Sequence, residues 1–215
     1  MNQSDYQRIA AQYENEEFDT KDEFMFVQGT FPVIISTPHS VTHFRQNKMK
    51  IGEYMTAAIA IALHQQLNCS YITKRKNNFT DPNFDIIHPF KQAIIDYIET
   101  NKVEFLIDLH IMSSKRKPAI EIGTGKGKNI FNRTDIVHHL IESFTHYHIK
   151  PVIVDQLFTA SNPNTVSSTI ARETQIPCIQ IEINWRLLDS ASKKYQIDNI
   201  VLALQQAIRQ SIASY

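Results

Sequence analysis

Apolar residues along this chain follow two different spacings, and the two spacings alternate from residue 24 to the last residues. Short β-branched runs between turn residues indicate buried strands, which cover residues 24–27, 33–35, 70–73, 104–109, 119–122, 151–154 and 177–183. Apolar positions three or four residues apart indicate helices, which cover residues 52–67, 90–97, 136–147, 166–173 and 195–212. Residues 1–22 are polar without a clear period, and residues 74–87 are typical of a loop.

The alternation of strands and helices decides the expected fold class. Strands that are connected through helices pair in parallel, and the helices then cover both faces of the sheet. The chain is therefore expected to form a three-layer α/β/α sandwich with a mostly parallel, mixed sheet. In such sheets ligands bind beyond the carboxyl ends of the strands. Polar residues at those ends are the first candidates for function.

Length and charge narrow the class of protein further. A chain of 215 residues suits one domain over residues 1–215, with residues 1–22 as a candidate peripheral segment. Lysine plus arginine and aspartate plus glutamate both number 22, so the formal net charge is zero. A sequence-independent nucleic-acid binder would need a cationic excess, and nucleic acid is therefore not an expected partner.

The expected location is cytoplasmic, without a membrane partner. No segment reaches the roughly 18 apolar residues of a membrane span. The first residues lack the basic and apolar regions of a signal peptide. Cys69 and Cys178 both lie in apolar runs, which favours buried thiols in a reducing compartment. The oligomeric state stays open.

Two histidines and a glutamate stand at the ends of three predicted strands. The first strand leads into His39, the central strand ends in Asp108 and His110, and the last strand carries Glu182. A single histidine there is more often a hydrogen-bonded core or surface residue, so the joint appearance carries the argument. Two imidazoles with a carboxylate are a usual ligand set of catalytic zinc, and a second carboxylate can act as general base. Asp108 either caps a loop or orients a metal-binding histidine.

The third metal ligand is open at this stage. A compact His-x-x-Glu motif would need a carboxylate at residue 42, which is Thr42. Glu53 is the next carboxylate downstream, at the start of a predicted helix, where it could equally complement the helix dipole. Asp81 and Asp85, in the loop of residues 77–85, are the alternatives.

Four short stretches carry a resemblance to a known family. They are PVIISTPHS at residues 32–40, DLH at 108–110, EIGT at 121–124 and IQIEIN at 179–184. In this order they resemble the N-formylglutamate amidohydrolase family, which is related to zinc carboxypeptidases and aspartoacylase-type deacylases. The resemblance implies a phosphorylase/hydrolase-like α/β/α sandwich and hydrolysis of an N-acylated amino acid at one zinc ion.

The resemblance also implies roles for individual residues. His39 and His110 match the metal histidines, Glu182 matches the general acid/base, and Glu53 matches an acidic position at the start of the family's helix. The 77–85 loop resembles the family's Asp-x-Asn-Arg segment beside the substrate, which includes Asn83 here and extends to Asp85. This chain has Phe84 where the family has Arg, and Val41 where the family usually has Gly. The substrate carboxylate then needs another cation, and the candidates are Arg45, Lys76, Arg172 and Arg186.

The leading hypothesis is a zinc-dependent amidohydrolase acting on a small N-acyl amino acid or a short peptide-like substrate. His39, His110 and Glu53 hold the metal, and Glu182 activates water and protonates the leaving nitrogen. A metallopeptidase or another deacylase on the same fold is one alternative. A metal-free binding module for acidic small molecules is the other. A serine hydrolase is disfavoured because the chain lacks a Gly-x-Ser-x-Gly elbow.

Overall fold

The computed structural model describes residues 1–213, which form a three-layer α/β/α sandwich and confirm the expected fold class. Within these residues seven strands form the main sheet, and two short strands form a separate hairpin. In chain order the strands are β1 Phe24–Val27, β2 Phe31–Thr37, β3 His43–Arg45, β4 Lys48–Lys50, β5 Cys69–Lys74, β6 Phe105–Met112, β7 Ile120–Gly123, β8 Val152–Val154 and β9 Cys178–Asn184. The helices are α1 Gln3–Glu14, α2 Met55–Leu67, α3 Pro89–Thr100, α4 Thr134–His146, α5 Val166–Thr174 and α6 Ile197–Ala213.

The main sheet is mixed, with a parallel centre. Its strand order is β1-β5-β2-β6-β9-β7-β8. Strand β2 pairs in parallel with β5 and with β6, and β6 pairs in parallel with β9. Strands β1 and β7 are antiparallel to their central neighbours, and β8 runs parallel to β7. The carboxyl ends of β2, β6 and β9 therefore lie side by side at one edge of the sheet.

Helices cover both faces of this sheet. On one face α2 packs against α1 and α6, and α4 packs against α6, whereas α3 and α5 pack together on the other face. Successive strand residues divide between the two cores. Ile35 and Ile107 belong to the first core, and Ile34 and Leu106 to the second. Because the central strands are buried on both faces, their sequences are nearly continuous apolar runs.

Within residues 1–213, no helix combines the length and the apolar character that crossing a membrane requires.

The two cysteines are buried. Cys69 and Cys178 are both unpaired, as their apolar neighbours predicted. Burial raises the pKa of the Cys69 thiol to about 12, so this thiol stays protonated and unreactive at neutral pH.

The N-terminal segment contains a helix that the sequence pattern did not reveal. Helix α1 begins with a capping box, in which the side chains of Asn2 and Asp5 each accept a hydrogen bond from the other residue's backbone N–H. The Tyr13 hydroxyl lies 2.7 Å from Thr73 Oγ1. The buried side chains of α1 are Tyr6, Ile9 and Tyr13. Three apolar residues among polar neighbours give too weak a period to predict a helix, yet they dock α1 against α2.

The segment between His39 and α2 differs from the expectation in two ways. It forms the β3–β4 hairpin, which sequence analysis did not predict, and this hairpin carries Arg45. Helix α2 begins at Met55 rather than at residue 52, so Glu53 precedes the helix. The backbone N–H of Glu53 donates to the carbonyl of His39 at 2.7 Å. Glu53 is therefore held beside His39 and does not belong to the first turn of the helix.

Buried polar side chains fix the long loop between β5 and α3. Lys74 Nζ donates hydrogen bonds to Asn78 Oδ1 at 2.7 Å and to the carbonyl and hydroxyl oxygens of Thr80 at 2.9 and 3.0 Å. His88 Nε2 lies 2.8 Å from the same Thr80 hydroxyl. Lys74, at the start of the loop, and His88, at its end, therefore both hold Thr80 in its middle.

Acid is expected to destabilise the protein through His88. Burial, assisted by Lys74, lowers the pKa of His88 to about 4, and His88 Nδ1 accepts the Phe90 N–H as the cap of α3. In the unfolded chain the pKa returns to about 6.5. Between these values the unfolded chain binds a proton that the folded chain does not bind. The free energy of unfolding therefore falls as the pH falls, by up to about 1.4 kcal/mol per pH unit.

Urea unfolding of chelator-treated protein between about pH 4.5 and 7 measures this effect. The matched variant is His88→Asn, because asparagine keeps an acceptor for the helix cap and does not titrate. The stability of His88→Asn should fall less with acid than that of the wild type. Equal slopes for the two proteins would show that His88 does not contribute.

Candidate active site

Three side chains converge at the carboxyl edge of the parallel strands. His39 follows β2 in a turn, whereas His110 lies inside β6, which continues beyond its predicted end at residue 109. The Nδ1 atoms of the two histidines are 3.1 Å apart. Glu53 Oε1 lies 3.1 Å from His39 Nδ1, and Glu53 Oε2 lies 3.2 Å from His110 Nδ1. The three residues expected to be metal ligands are therefore in contact with one another.

The other ring nitrogen of each histidine faces an aspartate. His39 Nε2 is 2.9 Å from Asp81 Oδ1, and His110 Nε2 is 3.0 Å from Asp108 Oδ2. Asp108 also accepts a hydrogen bond from the hydroxyl of Ser36 on β2. A carboxylate behind an imidazole holds the proton on that nitrogen and orients the ring. The Nδ1 lone pair of each ring is then available for a ligand.

The donor set fits a zinc ion. Zinc binds imidazole nitrogen and carboxylate oxygen at about 2.0–2.2 Å in a tetrahedral arrangement, in which neighbouring donors are about 3.3 Å apart. Here the two Nδ1 atoms are 3.1 Å apart, and Glu53 approaches them at 3.1 Å through Oε1 and at 3.2 Å through Oε2. Three protein ligands that leave a fourth position open are typical of catalytic zinc rather than structural zinc.

The electrostatics of the site favour a bound cation. Burial alone would lower the pKa of His39, but Glu53 and Asp81 raise it overall. Burial alone would lower the pKa of His110 as well, but Asp108 and Glu53 raise it well above its ordinary value. Burial alone would raise the pKa of Glu53, yet the two histidines hold it well below its usual range. These carboxylates therefore stabilise positive charge at the point that the histidines share.

Glu182 lies beside this point on the neighbouring strand. It is the cross-strand partner of His110 in the parallel β6–β9 pair. Gln180 Nε2 donates a hydrogen bond to Glu182 Oε1 at 3.1 Å. Burial raises the pKa of Glu182 to about 8. A carboxyl group with a pKa near neutrality is suited to accept and return a proton.

Gln180 is a cleft residue that sequence analysis did not single out. Its side chain is buried, and its Oε1 atom has no hydrogen-bond partner among the described residues. Side chains two residues apart on a strand share a face, so the placement of Gln180 next to Glu182 follows from alternation along β9. Its role could not be inferred, because a glutamine in a strand carries no chemical signature of its own.

A second group of ligand-type side chains overlaps the first. It consists of His39, His43 and Asp81. The rings of His39 and His43 stack with centroids 3.9 Å apart, and Arg45 Nε donates to Asp81 Oδ2 at 2.7 Å. Burial, assisted by His39, lowers the pKa of His43 to about 3, so His43 is neutral. Asp81 thus binds His39 and Arg45, whereas Glu53 is the carboxylate that contacts both His39 and His110.

Asn83 and Arg45 lie at the side of the cleft next to the histidines. Asn83 Oδ1 accepts the Val166 N–H at 2.7 Å at the start of α5, and Asn83 Nδ2 lies 3.5 Å from His110 Nε2. The Arg45 guanidinium lies 5.6 Å from the ring centroid of Phe84. The hairpin therefore brings a cation to Phe84, the position at which the resemblance expected an arginine.

The sequence predicts Asp85 and Arg186 beside the substrate, but both lie outside the lining of the cleft. The Asp85 carboxylate accepts the Asp81 N–H at 2.8 Å and so shapes its own loop. Arg186 lies in a short 3₁₀ turn that follows β9. Its guanidinium donates to the carbonyls of Arg116 and Lys117 at 2.8 and 2.9 Å. Although Arg186 follows Glu182 by only four residues, the 3₁₀ turn directs its side chain to these carbonyls and away from the cleft.

The other two candidate cations also have partners elsewhere. Lys76 Nζ donates to the carbonyl of Glu16 at 3.2 Å. Arg172 Nε lies 2.9 Å from Glu173 Oε1 on the exposed side of α5. Of the four candidate cations for a substrate carboxylate, only Arg45 lines the cleft within the part of the chain that the structure describes.

A cleft of about 470 Å³ opens over these residues. One wall is formed by the β3–β4 hairpin and the residues that follow it. Another part of the lining is the loop of residues 157–162, between β8 and α5. The side chains and backbone atoms that line the cleft include His39, Arg45, Lys50, Ile51, Glu53, Asn83, His110, Leu157, Phe158, Gln180 and Glu182.

Comparison with solved structures finds the same fold in several hydrolases. N-formylglutamate amidohydrolase from Ralstonia eutropha JMP134 has a TM-score of 0.65 and 12% identity, over 90% of this chain and 99% of that one. A bacteriophage poly-gamma-glutamate hydrolase has a TM-score of 0.57 and 12% identity, over 94% and 93%. YndL in its zinc-free form has a TM-score of 0.54 and 16% identity, over 94% and 95%.

These similarities confirm the fold that the four sequence stretches implied. Comparison with family models and with curated protein sequences finds no match. At identities of 12 to 16%, the structural similarity establishes the architecture alone. The function has to be argued from the site itself.

Proposed function

We propose that this chain is a zinc-dependent hydrolase that cleaves the amide bond of an N-acylated amino acid. The observation that carries the proposal is the donor set. His39 Nδ1, His110 Nδ1 and Glu53 meet within 3.2 Å of one another, and a carboxylate stands behind each ring. The hydrolases that share the fold support this class of reaction, and YndL, whose structure is described as zinc-free, supports the choice of metal.

Each ligand has a defined place in this proposal. His39 and His110 would bind zinc through Nδ1, and Glu53 would bind it through its carboxylate. Asp81 and Asp108 would hold the two rings in orientation. When bound, zinc supplies a Lewis acid that polarises a carbonyl and lowers the pKa of water.

Glu182 would carry the proton in this reaction. Its carboxylate would accept a proton from the attacking water and deliver it to the leaving nitrogen, so that the amide bond breaks without releasing a strongly basic amide anion. Gln180 Nε2 binds Glu182 Oε1 and leaves Oε2 free for this transfer. Burial among β-strand residues keeps the pKa of Glu182 high enough for it to hold the proton between the two steps.

Arg45 and Asn83 would bind the substrate's carboxylate and amide groups. Asn83 Oδ1 is committed to the Val166 N–H, so its Nδ2 atom remains as a donor towards the cleft. Arg45 shares its charge with Asp81, and its side chain is about one-third exposed. The remaining donors of its guanidinium can therefore reach an anionic ligand.

The test is zinc-dependent release of an amino acid. Purified wild-type protein, loaded with zinc and desalted, is incubated with N-formyl-L-glutamate and N-acetyl-L-glutamate, and free glutamate is measured. We expect hydrolysis that a chelator abolishes and that added zinc restores. A chain that binds about one zinc ion but cleaves no N-acyl amino acid would contradict the substrate class. A chain that cleaves these compounds equally well in chelator would contradict the mechanism.

A further inference from the structure

Two of the residues that line the cleft are exposed apolar side chains. Leu157 is 54% exposed and Ile51 is 79% exposed, and both line the cleft. A single exposed apolar residue is ordinary on a protein surface. Here two from separate segments line the same cleft as His110 and Glu182, and together they are called the apolar rim. This inference rests on the proposed function and concerns the chemistry of the acyl group.

The wall that carries Leu157 is fixed by a buried carboxylate. Glu121 Oε1 accepts the backbone N–H groups of Gln156, Leu157 and Phe158, with the first at 3.0 Å and the last at 2.7 Å. Glu121 is the cross-strand partner of Glu182 in the β7–β9 pair. The backbone of Leu157 is therefore tied directly to the strand next to the proton-carrying residue.

Further contacts hold the rest of this wall. Gly123 lies so close to the carbonyl of Phe158 that a Cβ atom there would approach it to 2.4 Å. The Thr124 N–H donates to Asp155 Oδ1 at 2.8 Å, and the Gly125 N–H donates to the Thr159 carbonyl at 2.7 Å. An exposed apolar side chain on a backbone held at this many points is preorganised, and preorganisation reduces the entropy cost of binding.

The size and charge of the cleft agree with a ligand that is part apolar and part anionic. Its volume of about 470 Å³ lies in the range of sites that enclose drug-sized ligands. An N-formyl amino acid would leave much of that space empty. Arg45 and Lys50 supply positive charge on the hairpin wall, on the same side as Ile51.

The geometry points to an N-acyl amino acid with a hydrocarbon acyl chain as the substrate, with Leu157 and Ile51 contacting that chain. The carboxylate of the amino acid lies towards Arg45, and the acyl carbonyl lies at the shared point of the two histidines. Each methylene that enters the apolar rim is expected to raise kcat/KM about fourfold, the factor that corresponds to burying one methylene.

The experiment uses one amino acid and a series of acyl groups. N-formyl-, N-acetyl-, N-butanoyl- and N-hexanoyl-L-glutamate are hydrolysed by zinc-loaded wild type, by Leu157→Ser and by Ile51→Ser. The measured quantity is the ratio of kcat/KM for the hexanoyl compound to kcat/KM for the formyl compound. We expect a ratio above about 10 in the wild type, which is reached when two of the added methylenes enter the apolar rim, and a ratio at least about fivefold lower in each variant.

Ile87→Ser is the matched control, because Ile87 is 89% exposed and does not line the cleft. It should keep the wild-type ratio. A wild-type ratio near or below one, or variants that keep the wild-type ratio, would overturn the inference while the hydrolase proposal stands. If no compound is hydrolysed, the proposed function fails. Calorimetric titration of the same series then decides the inference, since affinity that rises with chain length supports an apolar subsite and equal affinities refute it.

Discussion

Replacing Glu182 with glutamine is expected to reduce the turnover of N-acyl amino acids by about 10²- to 10⁴-fold, the usual contribution of a positioned general acid/base. Glutamine has nearly the shape of glutamate and can still accept the hydrogen bond from Gln180 Nε2, which lies 3.1 Å from Glu182 Oε1 in the wild type. It cannot accept a proton from water or return it to the leaving nitrogen. The loss should appear in kcat, because the proton transfer belongs to the chemical step.

Zinc content separates this effect from damage to the site. Glu182 lies outside the set of His39, His110 and Glu53, so the Glu182→Gln variant should bind as much zinc as the wild type. Glu142→Gln, on the exposed side of α4, is the matched control and should keep full activity. Normal turnover in Glu182→Gln, at normal zinc content, would remove Glu182 from the mechanism.

The strands and the ends at which the site is built were predictable from the sequence. The β-branched runs of β2, β6 and β9 are buried on both faces, so apolar composition alone reveals them. The positions of His39 and His110 relative to these strands then predicted their meeting, and the structure brings them together. The prediction succeeded because parallel strands place their carboxyl ends at one edge.

The sequence named several candidate cations, and the choice among them depends on irregular segments. Arg45 reaches the cleft only because a hairpin is inserted between His39 and Glu53, and no period in its three-residue strands signals this. Arg186 was expected in the site and is turned away by the 3₁₀ turn after β9. The path of such segments is set by tertiary hydrogen bonds, which residue spacing does not encode.

Glu121 is a residue whose structural role could not be predicted from the sequence. It belongs to one of the stretches that carried the family resemblance, yet nothing in the sequence assigned it a task. Its three backbone partners lie 35 to 37 residues away. A long-range contact between one carboxylate and a loop backbone becomes visible only in three dimensions.

Replacing both His39 and His110 with alanine is expected to remove zinc from the protein completely. The His39→Ala/His110→Ala variant keeps only Glu53 of the three proposed ligands, and a lone carboxylate does not hold zinc through desalting. Elemental mass spectrometry on protein that has been zinc-loaded and desalted should give about one zinc ion per wild-type chain and none in the variant. Hydrolysis should be lost together with the metal.

A milder substitution tests whether zinc binding depends on the carboxylate behind His39. Asp81→Asn keeps every ligand but removes the carboxylate 2.9 Å behind His39, so its zinc affinity should fall about 10- to 100-fold. His138→Ala, on the exposed side of α4, is the matched control and should bind zinc like the wild type. Equal zinc content in the wild type and the double variant would place the metal elsewhere. No zinc in the wild type would favour a metal-free module that binds acidic small molecules in the same cleft.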